Sequence, residues 1–304
     1  MRTTRREALG LLGGATAFAA LQPRLAWASR RSSPPPNPFL EGNFRPIHDE
    51  HAALGLTVAG TVPDALLGGT LLRIGPNPVV VPDPANYHWF LGDGMVHGFT
   101  FRDDGLVDAR NRWVRTDSAA AALGVEPIPG QPKDVLPINP ANTNIVHFGD
   151  RIFALLEVAL PTEIDTECGT VGRFDFDGRL SSAMTAHPKL DPATGEMIFF
   201  GMSLGGPPNL RYHAAAPDGS LTTRVVEVPQ ATMMHDFAVT ATNAVFFDCP
   251  VVYGAPGPGP LVPERRHAGR CPPAGRWRPN LDRGRPVLHL SLRQRVRRRR
   301  VGGG

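Results

Sequence analysis

The chain has 304 residues, of which 41% are hydrophobic and 20% are charged. It is therefore long and apolar enough to bury a core, which excludes wholesale disorder. Glycine (33) and proline (32) make up about a fifth of the residues, which excludes an all-α bundle and favours short strands joined by turns. The net charge of +4 would suit a nucleic-acid partner only if the positive charge lay on the folded part of the chain.

The charge is concentrated at the two ends instead. Residues 255–304 carry thirteen arginines against Glu264 and Asp282, a balance of +11, and residues 1–28 carry +3. These two ends exceed the total of +4 by ten, so residues 29–254 carry −10. We therefore expect no nucleic-acid partner, since such binding would depend on the tail alone.

The N-terminus has the pattern of an export signal. Arg5 and Arg6 precede an apolar, small-residue stretch, and Ala26-Trp27-Ala28 has the form of a cleavage site. The apolar stretch is far shorter than the ~20 residues of a membrane-spanning helix. Residues 1–28 are therefore predicted to be a twin-arginine signal that directs the protein to the periplasm or the exterior, and residues 29–42 are predicted to be a linker.

Between residues 71 and 253 the chain alternates short apolar runs with turn residues. Such a series without helical periodicity predicts an antiparallel β-meander, and a propeller and a large sandwich both remain open. The predicted hairpins include 96–101 with a strand ending near 114, 144–148 with 152–156, 197–202 with 210–214, 224–228, and 237–239 with 244–247. Their turns contain Asp104-Gly105, Gly149-Asp150 and Asp218-Gly219.

The composition changes abruptly at about Gly254. Residues 254–304 are rich in arginine, proline and glycine and have almost no strand pattern. Three interpretations are open: a basic arm for acidic partners or a membrane surface, a disordered tail, or a segment translated out of frame from a GC-rich gene. We favour the third.

Two of the ten histidines lie just before predicted strands. His187 is followed by a proline-stiffened loop, and His235 lies in Met234-His235-Asp236-Phe237. Imidazoles fixed at strand ends can converge on iron, copper or zinc, although from spacing alone a structural role is the more frequent one. Surface or hydrogen-bonded roles are predicted for His48, His51, His88, His97, His147 and His213, and buried or incidental thiols for Cys168, Cys249 and Cys271.

Several motifs together resemble the carotenoid oxygenase family, which includes carotenoid and stilbenoid cleavage dioxygenases. The resemblance covers about residues 43–253, with the motifs in family order. The two histidine segments resemble the first two iron-ligand motifs of that family. The other matching segments are Arg73-Ile74-Gly75-Pro76-Asn77-Pro78, Gly92-Asp93-Gly94-Met95-Val96-His97, Arg110–Thr116, Ala141-Asn142-Thr143-Asn144 and Ala154-Leu155-Leu156-Glu157.

The resemblance implies a seven-bladed β-propeller that holds ferrous iron on four histidines under an apolar tunnel. Residues 43–253 would form part of that propeller. His187 and His235 would be the first two ligands, and Glu157 would orient a ligand imidazole by accepting its other ring N–H. The implied reaction uses O2 to split a C=C double bond of a carotenoid, apocarotenoid or stilbenoid into two carbonyl products. Whether the protein also contacts a membrane surface is left open by the sequence.

The third and fourth ligands are not found in this chain. His267 and His289 lack the surrounding residues of the later ligand motifs, and we do not assign them. Because two histidines hold ferrous iron weakly, we expect the chain alone to be unstable or inactive. The alternatives to a dioxygenase are an inactive fragment or a binder of apolar ligands that does not cleave them.

Overall fold

The computed structural model describes residues 36–128, 139–203, 209–228 and 234–247, together with the backbone of residues 287–290. The predicted signal, residues 29–35 of the predicted linker and most of the predicted tail lie outside the described residues. Short 3-10 turns occur at Pro38–Leu40, Gly42–Phe44, Asp64–Leu66 and Trp89–Leu91, and a helix, α1, spans Asp117–Leu123. No helix in the described part of the chain combines the length and hydropathy of a membrane span.

Strands dominate and form four successive sheets, which we call blades 1 to 4. Blade 1 has the strand order β1-β4-β3-β2, blade 2 β5-β6-β7-β8, blade 3 β12-β11-β10-β9 and blade 4 β13-β14-β15. The strands of blades 1 and 2 are β1 (His51–Leu56), β2 (Thr70–Pro76), β3 (Gly94–Phe101), β4 (Val107–Trp113), β5 (Asn144–Phe148), β6 (Arg151–Leu155), β7 (Thr162–Ile164) and β8 (Thr170–Arg173). Those of blades 3 and 4 are β9 (Lys189–Leu190), β10 (Met197–Met202), β11 (Leu210–Ala215), β12 (Leu221–Val226), β13 (Ala238–Val239), β14 (Ala244–Phe247) and β15 (Val287–Leu290).

The predicted hairpins match these strands, with small differences at their ends. Gly105 and Gly219 have φ angles of +80° and +83°, a conformation that glycine adopts without steric cost, and each follows an aspartate in a tight turn. The sequence placed the outer strand of blade 3 at 224–228, whereas β12 ends at Val226. The prediction also missed β1, which precedes the predicted β-region of residues 71–253, together with α1 and the short strands β7, β8 and β9.

Each blade packs against the next through alternate residues of its strands. Strand β10 shows this most clearly, because all six of its residues are buried. Met197 and Phe199 face the side chains of blade 2, while Ile198 and Phe200 join a cluster with Phe246 of blade 4. Since successive residues of a strand point to opposite faces, a strand covered on both sides needs an unbroken apolar run.

Stacked antiparallel sheets connected in series are the architecture of a β-propeller. A third cluster, which includes Val96 and Ala154, joins blades 1 and 2 in the same way. The predicted all-β class and the partial propeller are thus confirmed. The four described sheets do not test the predicted total of seven blades.

Blade 4 differs from the others in its last strand. Strand β15 pairs in parallel with β14, Ala244 opposite Val287 and Phe247 opposite Leu290. The sequence predicted no strand in residues 254–304, so strand β15 differs from that prediction. Their run of Val, Leu and His suits an extended backbone, and the pairing satisfies hydrogen-bonding groups that an open strand edge would leave unpaired.

A buried histidine reinforces the core of blade 3. The ring of His213 stacks on Phe199 with centroids 4.8 Å apart, and its two nitrogens lie 3.1 Å from Ser182 Oγ and 2.9 Å from Thr223 Oγ1. Burial lowers the pKa of His213 to about 3, and the positive charge of Arg211 acts in the same direction. The imidazole is therefore neutral in the folded protein, as its hydroxyl partners allow.

This histidine predicts a loss of stability in mild acid. An unfolded histidine titrates near pH 6.5, so below that pH the unfolded chain binds a proton that the folded chain does not. The free energy of unfolding should therefore fall as the pH drops below 6.5, by about 2 kcal/mol at pH 5 from this residue. Urea unfolding followed by circular dichroism at pH 7 and pH 5 measures the change. The His213→Gln variant, which cannot titrate, should lose less; an equal loss in both proteins would contradict the assignment.

Candidate metal centre

Glu157, His187 and His235 come from three different blades and meet at one end of the sheets. Glu157 follows β6 of blade 2, His187 precedes β9 of blade 3, and His235 precedes β13 of blade 4. Their donor atoms all lie within 4.8 Å of one another, and this is the one such group among the residues that the structure describes.

The backbone around His187 is fixed by two side chains. Thr185 Oγ1 accepts a hydrogen bond from the His187 N–H at 3.2 Å and lies 3.5 Å from the His235 carbonyl oxygen. Asn144 Nδ2, at the start of β5, donates to the Ala186 carbonyl at 2.8 Å. Blades 2, 3 and 4 are thus fastened together at the point where the histidines are presented.

The two imidazoles face each other directly. His187 Nε2 and His235 Nε2 are 3.0 Å apart, with ring centroids at 4.5 Å and the ring planes at 65°. Glu157 Oε1 lies 3.0 Å from His235 Nδ1 and 3.4 Å from His187 Nε2. Two nitrogen lone pairs at this separation repel each other, so the pair must share either a proton or a cation.

The geometry fits a cation. Two nitrogens that each lie about 2.1 Å from one ion, at right angles, are about 3.0 Å apart. Glu157 Oε1 is buried, and its contact with His235 has the distance but not the direction of a hydrogen bond, so this oxygen has no hydrogen-bond partner among the described groups. An unsatisfied carboxylate beside two imidazoles gives the site a negative charge and the donor types that iron, copper or zinc accept.

The centre opens onto a cavity of about 790 Å³. His235, whose side chain is 59% exposed, and Glu157 form part of its wall, whereas His187 is not among the residues that line it. Phe44, Trp89 and Phe90 give the cavity an aromatic side. Asn142 holds the turn that carries Trp89 and Phe90, because its Nδ2 donates to the carbonyls of Phe90 and Gly92 at 3.0 and 2.6 Å.

The cavity also has a polar side, made by neighbouring residues of β2 and β3. Arg73 and His97 are opposite each other in the β2–β3 register, and both line the cavity. Burial lowers the pKa of His97, and the charge of Arg73 lowers it further. A histidine with a lowered pKa is neutral at pH 7, so Arg73 is the charged member of this pair.

The chain matches known proteins over most of its described length. The family model for the retinal pigment epithelial membrane protein matches residues 44–283, well over half of the chain. The chain belongs to the carotenoid oxygenase family. Its match extends past residue 253, where the sequence motifs ended.

Relatives in this family include enzymes that are named for different substrates. A carotenoid cleavage oxygenase of Mycobacterium tuberculosis is 42% identical over 221 residues, covering 71% of this chain and 44% of the relative. The lignostilbene dioxygenase of Pseudomonas brassicacearum is similar in structure, with a TM-score of 0.62, 34% identity and coverage of 71% of this chain and 48% of that one. Cobalt-substituted apocarotenoid oxygenase of Synechocystis has a TM-score of 0.55, 29% identity and coverage of 66% and 47%. The chain therefore spans less than half the length of the relatives that it matches.

The structure brings together the three residues that the family motifs indicated. Of the other histidines, His48, His51, His88 and His147 are exposed and His213 is buried with two hydrogen bonds. No third histidine joins the group within the described residues; His267 lies outside them, and only the backbone of His289 is described. Cys168 is a buried free thiol, and burial, followed by the charge of Asp165, raises its pKa to about 11.

The sequence did not identify the residues that fasten the centre. Asn142 and Asn144 lie in a recognised motif, but only the structure shows that one holds the aromatic turn and the other holds the loop before His187. Thr185 gave no signal at all. Their contacts span 42 to 52 residues along the chain, so no local pattern could have revealed them.

This geometry predicts that the chain binds a divalent ion through both histidines. We expect His187→Ala and His235→Ala each to weaken Co²⁺ or Fe²⁺ binding about tenfold or more, because each removes one of two nitrogen donors. Glu157→Gln should weaken it less, since the amide keeps the shape but loses the charge. Isothermal titration under anaerobic conditions measures the affinities. His147→Ala, which removes an exposed histidine, is the control, and an equal effect in all four variants would contradict the site.

Proposed function

We propose that this chain carries part of the iron centre of a dioxygenase that splits a C=C double bond of an apolar conjugated substrate. The products are two carbonyl compounds, each of which receives one oxygen atom from O2. The observation that carries this proposal is the convergence of His187 Nε2 and His235 Nε2 beside Glu157 at a cavity with an aromatic side. Family membership supports the same reaction class.

The role of each residue follows from its position. Ferrous iron, when bound, would supply the activation of dioxygen. His187 and His235 would hold the metal through Nε2, and the charge of Glu157 near His235 Nδ1 would keep the proton on that nitrogen and so leave Nε2 free to ligate. The aromatic side of the cavity would orient an apolar chain and exclude water.

The substrate is proposed only as a class. Relatives are named for carotenoids and for lignostilbene, and both kinds of molecule offer a conjugated double bond between apolar groups. The aromatic rings of Phe44, Trp89 and Phe90 suit either one. A carotenoid, an apocarotenoid and a stilbenoid are therefore the candidates.

A second candidate is a protein that binds such molecules without cleaving them. The observation in its favour is that the described residues offer two imidazoles and one carboxylate, a small set of ligands for ferrous iron. The sequence led to the expectation that the chain alone is inactive. This second candidate predicts the same outcome.

One assay separates the two candidates. The chain is incubated with Fe²⁺, O2 and either a stilbene or an apocarotenal, and products are identified by chromatography and mass spectrometry. The dioxygenase candidate predicts aldehydes labelled by ¹⁸O2 that disappear with His187→Ala or with a chelator. Substrate binding without aldehydes would favour the binder, and neither binding nor products would contradict both candidates.

We also propose that the protein contacts a membrane through an exposed apolar patch at the cavity. Phe90 and Leu91 are 68% and 69% exposed, and Phe44, also exposed, lies with Phe90 at the cavity wall. An apolar substrate dissolved in lipid could enter there without crossing water. Residues 1–28, outside the described residues, would first direct the protein out of the cytoplasm.

The patch predicts binding to lipid vesicles. Because burial of two large apolar side chains is worth several kcal/mol, Phe90→Ser with Leu91→Ser should reduce flotation with phosphatidylcholine vesicles about tenfold or more. Val171→Ser with Val225→Ser is the matched control, since these residues are 60% and 58% exposed on blades 2 and 3. Equal reductions in the two double variants would show that the patch has no special role.

A further inference from the structure

An ion pair joins the two segments that carry the histidines. Lys189 Nζ lies 2.7 Å from Asp236 Oδ1. Lys189 is two residues after His187, with Pro188 between them, and Asp236 directly follows His235. The pair therefore bridges blades 3 and 4 within two residues of both imidazoles.

Both members of the pair are held at their own blade. Lys189 is the first residue of β9, and its backbone pairs with Ile198 of β10. Asp236 Oδ1 also accepts the Phe237 N–H at 2.8 Å, and Lys189 Nζ lies 5.6 Å from the centroid of the Phe237 ring.

Among the residues that the structure describes, the pair is one of two bridges that lie on either side of the imidazoles. The other is Thr185, whose hydroxyl contacts the His187 N–H and lies near the His235 carbonyl. One bridge precedes His187 in the chain and the other follows it. Two imidazoles on separate blades keep a fixed separation only if their backbones cannot slide past each other, and two such bridges prevent that movement.

The pair is too exposed to serve mainly as a source of stability. The side chains of Lys189 and Asp236 are 33% and 52% exposed, and ion pairs at such sites contribute little to folding because water and salt screen them. Screening by water and salt does not remove the effect of the pair on geometry, because a backbone N–H also holds the Asp236 carboxylate in place.

We propose that Lys189 and Asp236 are positioning residues, which set the separation of His187 Nε2 and His235 Nε2 and through it the affinity of the centre for a divalent metal. The proposal rests on the proposed function in one respect, that these imidazoles bind metal. Neither residue would touch the metal or the substrate.

The test compares metal binding in variants that break the pair. Lys189→Met and Asp236→Asn should each weaken Co²⁺ binding about tenfold, as loss of a group that orients a ligand does, and should shift the visible absorption bands of the bound Co²⁺. The double variant should be no weaker than either single one, because the pair acts as a unit. Lys189→Arg, which restores the charge, should retain the wild-type affinity and spectrum.

A matched control is available in blade 2. Arg151 forms an ion pair with Glu163 at 2.6 Å and lies over the ring of Phe174 at 4.7 Å, which reproduces the contacts of Lys189 away from the histidines. Arg151→Met should leave Co²⁺ affinity and spectrum unchanged, and thermal melting should be similar in all variants. Wild-type binding by Lys189→Met and Asp236→Asn, or equal weakening in Arg151→Met, would overturn the proposal.

A second readout does not require metal. The ring signals of His187 and His235 in the NMR spectrum of the metal-free protein, assigned from the alanine variants, should shift in Lys189→Met and remain in place in Arg151→Met. If wild-type protein binds no Co²⁺, the proposed function fails while this readout still decides the positioning role. Unchanged histidine signals in Lys189→Met would overturn that role.

Discussion

The need to cover both faces of each middle blade determines where the functional groups lie. Strand β10 is buried at all six positions because blade 2 packs on one face and blade 4 on the other. Because packed side chains fill the space between neighbouring blades, this stacking fixes the distance between those blades. A residue placed at the start of an edge strand therefore arrives at a defined point, and His187 and His235 use that property to meet from separate sheets.

The stacking alone would not bring two nitrogens to 3.0 Å. The finer adjustment comes from polar contacts at the ends of the blades, made by Asn144, Thr185 and the Lys189–Asp236 pair. Apolar burial is strong but has no direction, whereas hydrogen bonds and ion pairs are weak but directional. The centre depends on both: the first brings the blades together and the second aligns what they carry.

Much of the fold could be predicted because its signals are local. Turns such as Asp104-Gly105 and Asp218-Gly219 are read from adjacent residues, and so are the alternating strands on each side. The short strands β7, β8 and β9 were missed because two to four residues are too few to show a period. Strand β15 was missed because its partner, β14, lies about forty residues away in the chain.

The site, like the fold, has a part that could be predicted from the sequence and a part that could not. His187, His235 and Glu157 could be named only because family motifs surround them, since spacing alone favoured structural histidines. The cavity wall was not predicted: Phe44 packs against Trp89 only in the folded chain, and Phe90 lies in a turn that Asn142 holds. Residues that act through contacts with distant partners carry no signature in a single sequence.

The distribution of the centre over three blades has a consequence for how this protein can fold and change. Hairpins within a blade are local and can form independently, but the donor set does not exist until blades 2, 3 and 4 have docked in order. Metal affinity is therefore a late property of folding and reports on docking, not on the formation of any one sheet. For the same reason, the outer strands β8 and β12 can diverge in sequence with little effect on the centre. In contrast, lengthening or shortening the loop before β9 or β13 by one residue would separate the imidazoles even though every blade stays intact.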